Sequence, residues 1–207
     1  MSDVLRVHWK VIPVNAPQPW LNCNRCRGAR RFRTSDKIRV NASGKRIDAW
    51  LIYKCTSCDN IWNRPILERQ PVSTIDRQLL AALQASDPDL SRRLAFDAAT
   101  LRNTSRVEHF DDVIVRKERV SGCAGPPRWL EITCVVPEPT GLRVDRLLST
   151  ELRLSRSRIQ NMQESGHLAA CPGGLRRPLR QGLRVRIDLL GIDDGDRLAL
   201  AATGGEA

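Results

Sequence analysis

Two C-x-x-C pairs constrain this chain more than any other feature in it. Cys23-Asn24-Arg25-Cys26 and Cys55-Thr56-Ser57-Cys58 are separated by 28 residues. Each pair suits a tight turn, and four thiolates brought together close a tetrahedral Zn2+ site with no corner left open. The intervening segment is strand-like. Phe32, Ile38 and Val40 precede the turn signal Asn41-Ala42-Ser43-Gly44-Lys45, and Ala49-Trp50-Leu51-Ile52-Tyr53 runs directly into Cys55. Two knuckles joined by a β-meander are the layout of a zinc ribbon. The expectation for residues 1–70 is such a domain, with a structural Zn2+ on Cys23, Cys26, Cys55 and Cys58. Two redox pairs or two disulfides are the competing readings. A thioredoxin-like motif needs a neighbouring βαβ unit, and disulfides need an oxidising compartment, for which no signal peptide is seen.

The other cysteines carry less signal. Cys134 lies in an apolar run, Cys171 at a strand end and Cys123 in a Gly/Pro loop, so all three read as reduced thiols without a role. His8, His109 and His167 are scattered and supply no further ligand set.

Charge narrows the partner. The net charge is +11, unevenly spread: residues 1–70 carry +9, residues 71–140 carry −1 and residues 141–207 carry +3. Basic ends of this kind attract nucleic acid or an anionic membrane. The chain has no long apolar span, so nucleic acid is the expected partner, with no membrane and no small-molecule substrate; the compartment expected is the cytoplasm.

The most patterned basic segment runs from Leu142 to Ile187, with ten arginines against three acids. Val144, Leu147, Leu148 and Leu152 form one helix stripe, with Arg143, Arg146, Thr150 and Arg153 opposite. Ser155 reads as the N-cap of a second helix, stapled by Leu154 and Ile159. Ile159 and Met162 face inward on it; Ser157, Gln160 and Asn161 face outward, flanked by Arg156 and Arg158. Gly166 stands at the expected left-handed C-cap. Strands are expected at residues 167–171 and 183–187. A basic αα-hairpin with a solvated face is the plain alternative.

The string Arg143-Val144-Asp145-Arg146-Leu147-Leu148, followed by Ser155-Arg156-Ser157-Arg158 and Gly166, resembles the S4-type RNA-binding domain. The resemblance covers about a quarter of the chain. It implies an αα-plus-strands module whose two helices contact RNA through Arg143, Arg146, Arg153, Arg156, Ser157, Arg158, Gln160 and Asn161. Pro172-Gly173-Gly174 stands where that family usually has an Asn-Gly turn. A second resemblance runs over most of the chain. Residues 38–55, continuing to Trp62-Asn63, look like the bacterial family known as domain of unknown function 1062, which implies no activity.

The whole reads as an α+β chain: a zinc-ribbon-like domain at 1–70, central helices and a β-hairpin at 71–137, an S4-like module at 138–190 and a flexible tail at 191–207. In the central part Ser73 or Thr74 caps a first helix, Asp87-Pro88 opens a second, and strands at 113–115 and 129–136 make the hairpin. In the ribbon, Arg27, Arg30, Arg31, Arg33, Lys37 and Arg39 around Phe32 suggest either a phosphate-binding sheet face or a solvated one. Trp50 and Trp62 read as packing around the knuckles. The expected function is a non-catalytic RNA-binding protein recognising ribosomal or transfer RNA, or the ribosome itself, in a translation-related role. The alternatives are an RNA-modifying enzyme, since S4-like modules accompany pseudouridine synthases, and a DNA- or transcription-associated zinc ribbon.

Overall fold

A computed structural model describes residues 3–101, 106–121 and 125–205. It is α+β, with two five-stranded sheets and five α-helices among those residues. The chain divides into two compact units, one of residues 15–109 and one of the segments up to 14 and from 110 onward. In chain order the elements are β1 (Val4–Pro13); β2 (Gln18–Cys23), β3 (Gly28–Ser43), β4 (Arg46–Cys55), β5 (Ile61–Pro71), α1 (Arg77–Ala85), α2 (Pro88–Phe96) and β6 (Arg106–Glu108); then β7 (Val113–Ser121), β8 (Trp129–Val135), α3 (Val144–Glu151), α4 (Arg156–Glu164), β9 (Leu168–Cys171), β10 (Arg184–Asp188) and α5 (Gly195–Thr203). No described helix is long and apolar enough to cross a membrane.

The unit of residues 15–109 is an antiparallel sheet in the order β5-β4-β3-β2-β6. Strict alternation along β4 turns Ile47, Ala49, Leu51, Tyr53 and Cys55 to one face, all buried. Helices α1 and α2 cover that face, contributing Leu83, Leu90 and Ala95 to its core. Asp87 caps α2 and Pro88 takes its first turn, as the sequence indicates. The cap of α1 is Asp76 rather than Ser73 or Thr74: its carboxylate accepts from the N–H groups of Gln78 and Leu79.

The other unit has a sheet in the order β7-β1-β8-β10-β9, with β1 and β8 parallel and the remaining pairs antiparallel. Three boundaries therefore differ from the sequence reading. Strand β1 does not join the cysteine-bearing sheet; its alternating Leu5, Val7, Trp9 and Val11 are buried in the core that holds α3 and α4. Strands β7 and β8 form, but not as a hairpin, because β1 lies between them. A parallel β1–β8 pair needs a long crossover, which the residues between these two strands provide. The tail is not frayed either. Helix α5 buries Leu198 and Ala202, and the Trp9 indole donates to the Ala202 carbonyl at 2.8 Å. The cause is a short apolar stripe that can close the core only once β1 is in place.

Two buried polar side chains were illegible in the sequence. Arg64 is 4% exposed. It donates to the carbonyls of Leu94 (2.8 Å) and Asp97 (3.0 Å) at the C-terminal end of α2, to the Tyr53 hydroxyl (3.1 Å) and to Thr100. A guanidinium there meets the negative end of the helix dipole. Ser91, fully buried on α2, has a hydroxyl with no partner among the described residues. Arg64→Met takes the donor from the buried Tyr53 hydroxyl and from the part-buried carbonyls of Leu94 and Asp97, and is expected to cost about 2–3 kcal/mol in urea unfolding. Ser91→Ala removes an unpaired hydroxyl and is expected to stabilise by about 1 kcal/mol in the same measurement.

Candidate metal centre and basic groove

The two cysteine knuckles are built alike. Cys23 ends β2 and lies opposite Gly28, the first residue of β3. Cys55 ends β4, and its N–H donates to the Asn60 carbonyl at 2.8 Å. Each knuckle thus closes on its first cysteine from five residues further on. The residue after the second cysteine is left-handed in both: Arg27 has φ +52° and Asp59 φ +56°. Such a conformation costs a non-glycine residue roughly 1 kcal/mol, so the fold around it must enforce it.

The knuckles face each other. Cys23 Sγ and Cys58 Sγ are 3.5 Å apart, Cys26 Sγ and Cys55 Sγ are 4.0 Å apart, and all four sulfurs lie within 4.8 Å of one another. A disulfide needs about 2.05 Å, and these thiols are free. Four sulfurs at about 2.3 Å from a common tetrahedral ion are spaced by about 3.8 Å, so the cluster could hold a metal ion. The thiols do not titrate alike. Burial pushes Cys23 up, but the backbone N–H groups of Cys26 and Arg25 and the thiols of Cys58 and Cys55 outweigh it, and it comes down to about 6. Cys26 is pushed up to about 12, first by its contact with the Cys58 thiol and then by burial. Four sulfurs packed this closely cannot all ionise unless a cation neutralises them. An ion held by all four sulfurs would have no open corner and would fasten two strand ends. Trp62 packs behind it against Tyr53, ring centroids 5.3 Å apart.

In the other unit, α3 and α4 follow the sequence reading closely. Val144, Leu147, Leu148 and Leu152 are at most 3% exposed. Ser155 accepts from the Arg158 N–H at 3.1 Å, Leu154 and Ile159 are buried, and Gly166 is left-handed at φ +79°. The strands β9 and β10 lie within a residue of the expected positions. Cys134 is buried, its thiol pushed up to about 12 by burial, and Cys171 is exposed; Cys123 lies outside the described residues.

The arginines do not form the free row drawn from the sequence. Arg143 is bidentate to Asp145 (3.0 and 2.5 Å), Arg146 is paired with Asp111, and Arg158 with Asp194, which also holds Arg197. Arg153 and Arg156 are exposed and make no ion pair among the described residues. Ser157 meets the Ser155 hydroxyl at 3.0 Å, Gln160 donates to Glu164 at 3.0 Å, and Asn161 is exposed. Asp145 is committed twice over, to Arg143 and to the Arg146 N–H.

Part of the expected set does converge, on a groove of about 700 Å³. Arg143, Arg156, Ser157 and Gln160 line it together with Arg176 and Arg177. The last two were not singled out by the sequence reading. They arrive because the N-terminus of α3 holds their loop: the N–H groups of Val144 and Asp145 donate to the carbonyls of Arg177 (3.1 Å) and Leu175 (2.8 Å). That contact meets two of the helix's unsatisfied donors and sets both arginines beside the first turn of α4. Arg176 reaches the Gln160 carbonyl oxygen at 3.3 Å. The groove brings four guanidiniums against two carboxylates, Asp145 and Glu164, each already bonded.

A family model described as a protein of unknown function (DUF1062) matches residues 40–172, taking in the second knuckle and both α3 and α4. No curated protein and no solved structure matches the chain. For the cysteine cluster the expected outcome is about one equivalent of metal per purified chain. Cys55→Ser should lose that metal and lower the melting temperature, read by elemental analysis and thermal unfolding.

Proposed function

The chain belongs to the DUF1062 family of proteins of unknown function, and for it we propose a non-catalytic RNA-binding role, with a structural zinc ribbon and, in the other unit, an S4-like module that grips structured ribosomal or transfer RNA. The observation that carries this reading is the groove at the start of α4, where Arg143, Arg156, Arg176 and Arg177 meet the hydroxyl of Ser157 and the amide of Gln160. Guanidinium forks suit phosphate oxygens, and the amino-terminal turn of a helix favours an anion. Arginines in the first turn of a helix are otherwise disfavoured by its dipole; a phosphate between them removes the conflict.

The mechanism is phosphate capture, with selectivity from the shape of the folded RNA. Arg156, Arg176 and Arg177 carry most of it. Arg146 and Arg158 contribute less, because a phosphate must first replace Asp111 or Asp194. The Arg146–Asp111 pair is exposed, and exposed pairs are worth only about 0–1 kcal/mol, so exchange is open to it in contact with a highly charged partner; Asp194 is more buried and also holds Arg197. In the ribbon, zinc is the ion that suits four thiolates in a closed tetrahedron.

The test is binding of a structured RNA by fluorescence anisotropy across a salt series. Arg156→Ala/Arg176→Ala/Arg177→Ala is expected to weaken binding at least tenfold and to flatten the slope of log K against log[salt] by about two to three units. Arg146→Ala should change affinity much less. Unchanged affinity and slope in the triple variant would remove the basis of this reading.

A further inference from the structure

The ribbon sheet has a second face. The alternation that buries Leu51, Tyr53 and Cys55 turns Trp50, Ile52 and Lys54 the other way, away from α1 and α2. Cross-strand pairing fixes what lies beside them. Trp50 sits between Arg39 and Pro65, Ile52 lies opposite Asn63, and Lys54 sits between Arg33 and Ile61. This corrects part of the sequence reading. Trp62 does pack behind the knuckles, but Trp50, half-buried, belongs to the uncovered face; Phe32 is buried on the helix side and is no platform.

The chemistry of this face is specific. Arg33, Arg39, Arg46 and Lys54 stand against Asp48 and Asp59. Asp48 accepts the Arg69 N–H at 2.8 Å, and Asp59 meets Arg33 at 3.4 Å in a wide-open pair, 60% and 66% exposed. Arg39 and Lys54 make no ion pair among the described residues. The Arg33–Lys54 pair lies four residues along β4 from the Arg39–Trp50 pair, about 13 Å at strand rise. An aromatic ring beside Arg39, with Arg33 and Lys54 further along the same strand pair, matches a flexible polyanion whose bases are free to stack.

We infer that the face of the ribbon sheet bearing Trp50, Arg39, Arg33 and Lys54 is a binding site for single-stranded RNA, with an unpaired base against Trp50 and phosphates along the flanking cations. It lies in the unit of residues 15–109 and does not depend on the groove beside α4. The cations favour a nucleic acid over an apolar partner, and the ring favours unpaired bases over a duplex, whose bases are already stacked.

The experiment uses the full chain, a fluorescein-labelled oligouridylate and a labelled RNA hairpin. Arg39→Glu/Lys54→Glu is expected to weaken oligouridylate binding at least tenfold, with melting temperature and metal content unchanged. Trp50→Ala should also weaken it about tenfold, and Trp50→Phe should restore most of it, because a phenyl ring still stacks. Wild-type affinity for oligouridylate in the double charge reversal overturns the inference, even if Trp50→Ala fails to fold. So does competition by duplex DNA as effective as by the unlabelled oligouridylate. The two sites fail separately: Arg156→Ala/Arg176→Ala/Arg177→Ala reads the groove on the hairpin, whereas the ribbon variants read this face on the single strand.

Discussion

The four-sulfur cluster is the constraint on which the unit of residues 15–109 rests. Among the described residues its buried apolar cluster has ten members, two of them Cys23 and Cys55 themselves, whereas the cluster of the other unit has twenty-six. The units are of similar length, so the difference lies in how much apolar surface each hides. A sheet covered on one face by two nine-residue helices needs a further fastening. The knuckles provide it at the ends of β2 and β4, where they also enforce the left-handed Arg27 and Asp59. Ion binding at such a site is folding free energy for the unit around it. Arg64 supplies a second fastening by tying the C-terminal end of α2 to β5 and Tyr53.

Much of this was legible because it is local. The C-x-x-C spacing, the leucine stripe of α3, the Ser155 cap and the Gly166 stop each depend on residues a few positions apart, and each forms as read. What the sequence hid is non-local. Nothing near Val4–Pro13 says that its strand pairs with Val113–Ser121 on one side and Trp129–Val135 on the other. Once β1 separates β7 from β8, both the hairpin reading and the early domain boundary fail together. Helix α5 was missed for the same reason: its apolar residues have a role only against a core that includes Trp9.

The arginines show the same division between local and distant information. Helical spacing placed Arg146 on the outer face of α3, but Arg143 is the residue that precedes the helix and Arg153 lies past its end, in a left-handed conformation at φ +55°. Spacing could not show that Asp111 lies beside Arg146, thirty-five positions earlier, or Asp194 beside Arg158, thirty-six later. Nor could it show that the N-terminus of α3 holds the loop that carries Arg176 and Arg177. The guanidiniums that converge are therefore those of a groove at the start of α4, not a line along two helices.

The two basic surfaces differ in what they can recognise. The groove offers guanidiniums, a hydroxyl and side-chain amides but no aromatic ring, so the ligand proposed for it is phosphate and the shape that places it. The outer face of β3 and β4 offers the Trp50 ring beside Arg39, and the ligand proposed for it is therefore a base that is not already stacked. Neither needs high affinity. If both proposed contacts engage one RNA, the second acts at an effective concentration set by the chain that joins them, and the combined hold exceeds either alone. On that reading the preferred partner is a folded RNA with a single-stranded extension. A uniform duplex would satisfy the groove's demand for phosphate while leaving Trp50 without a base to stack on.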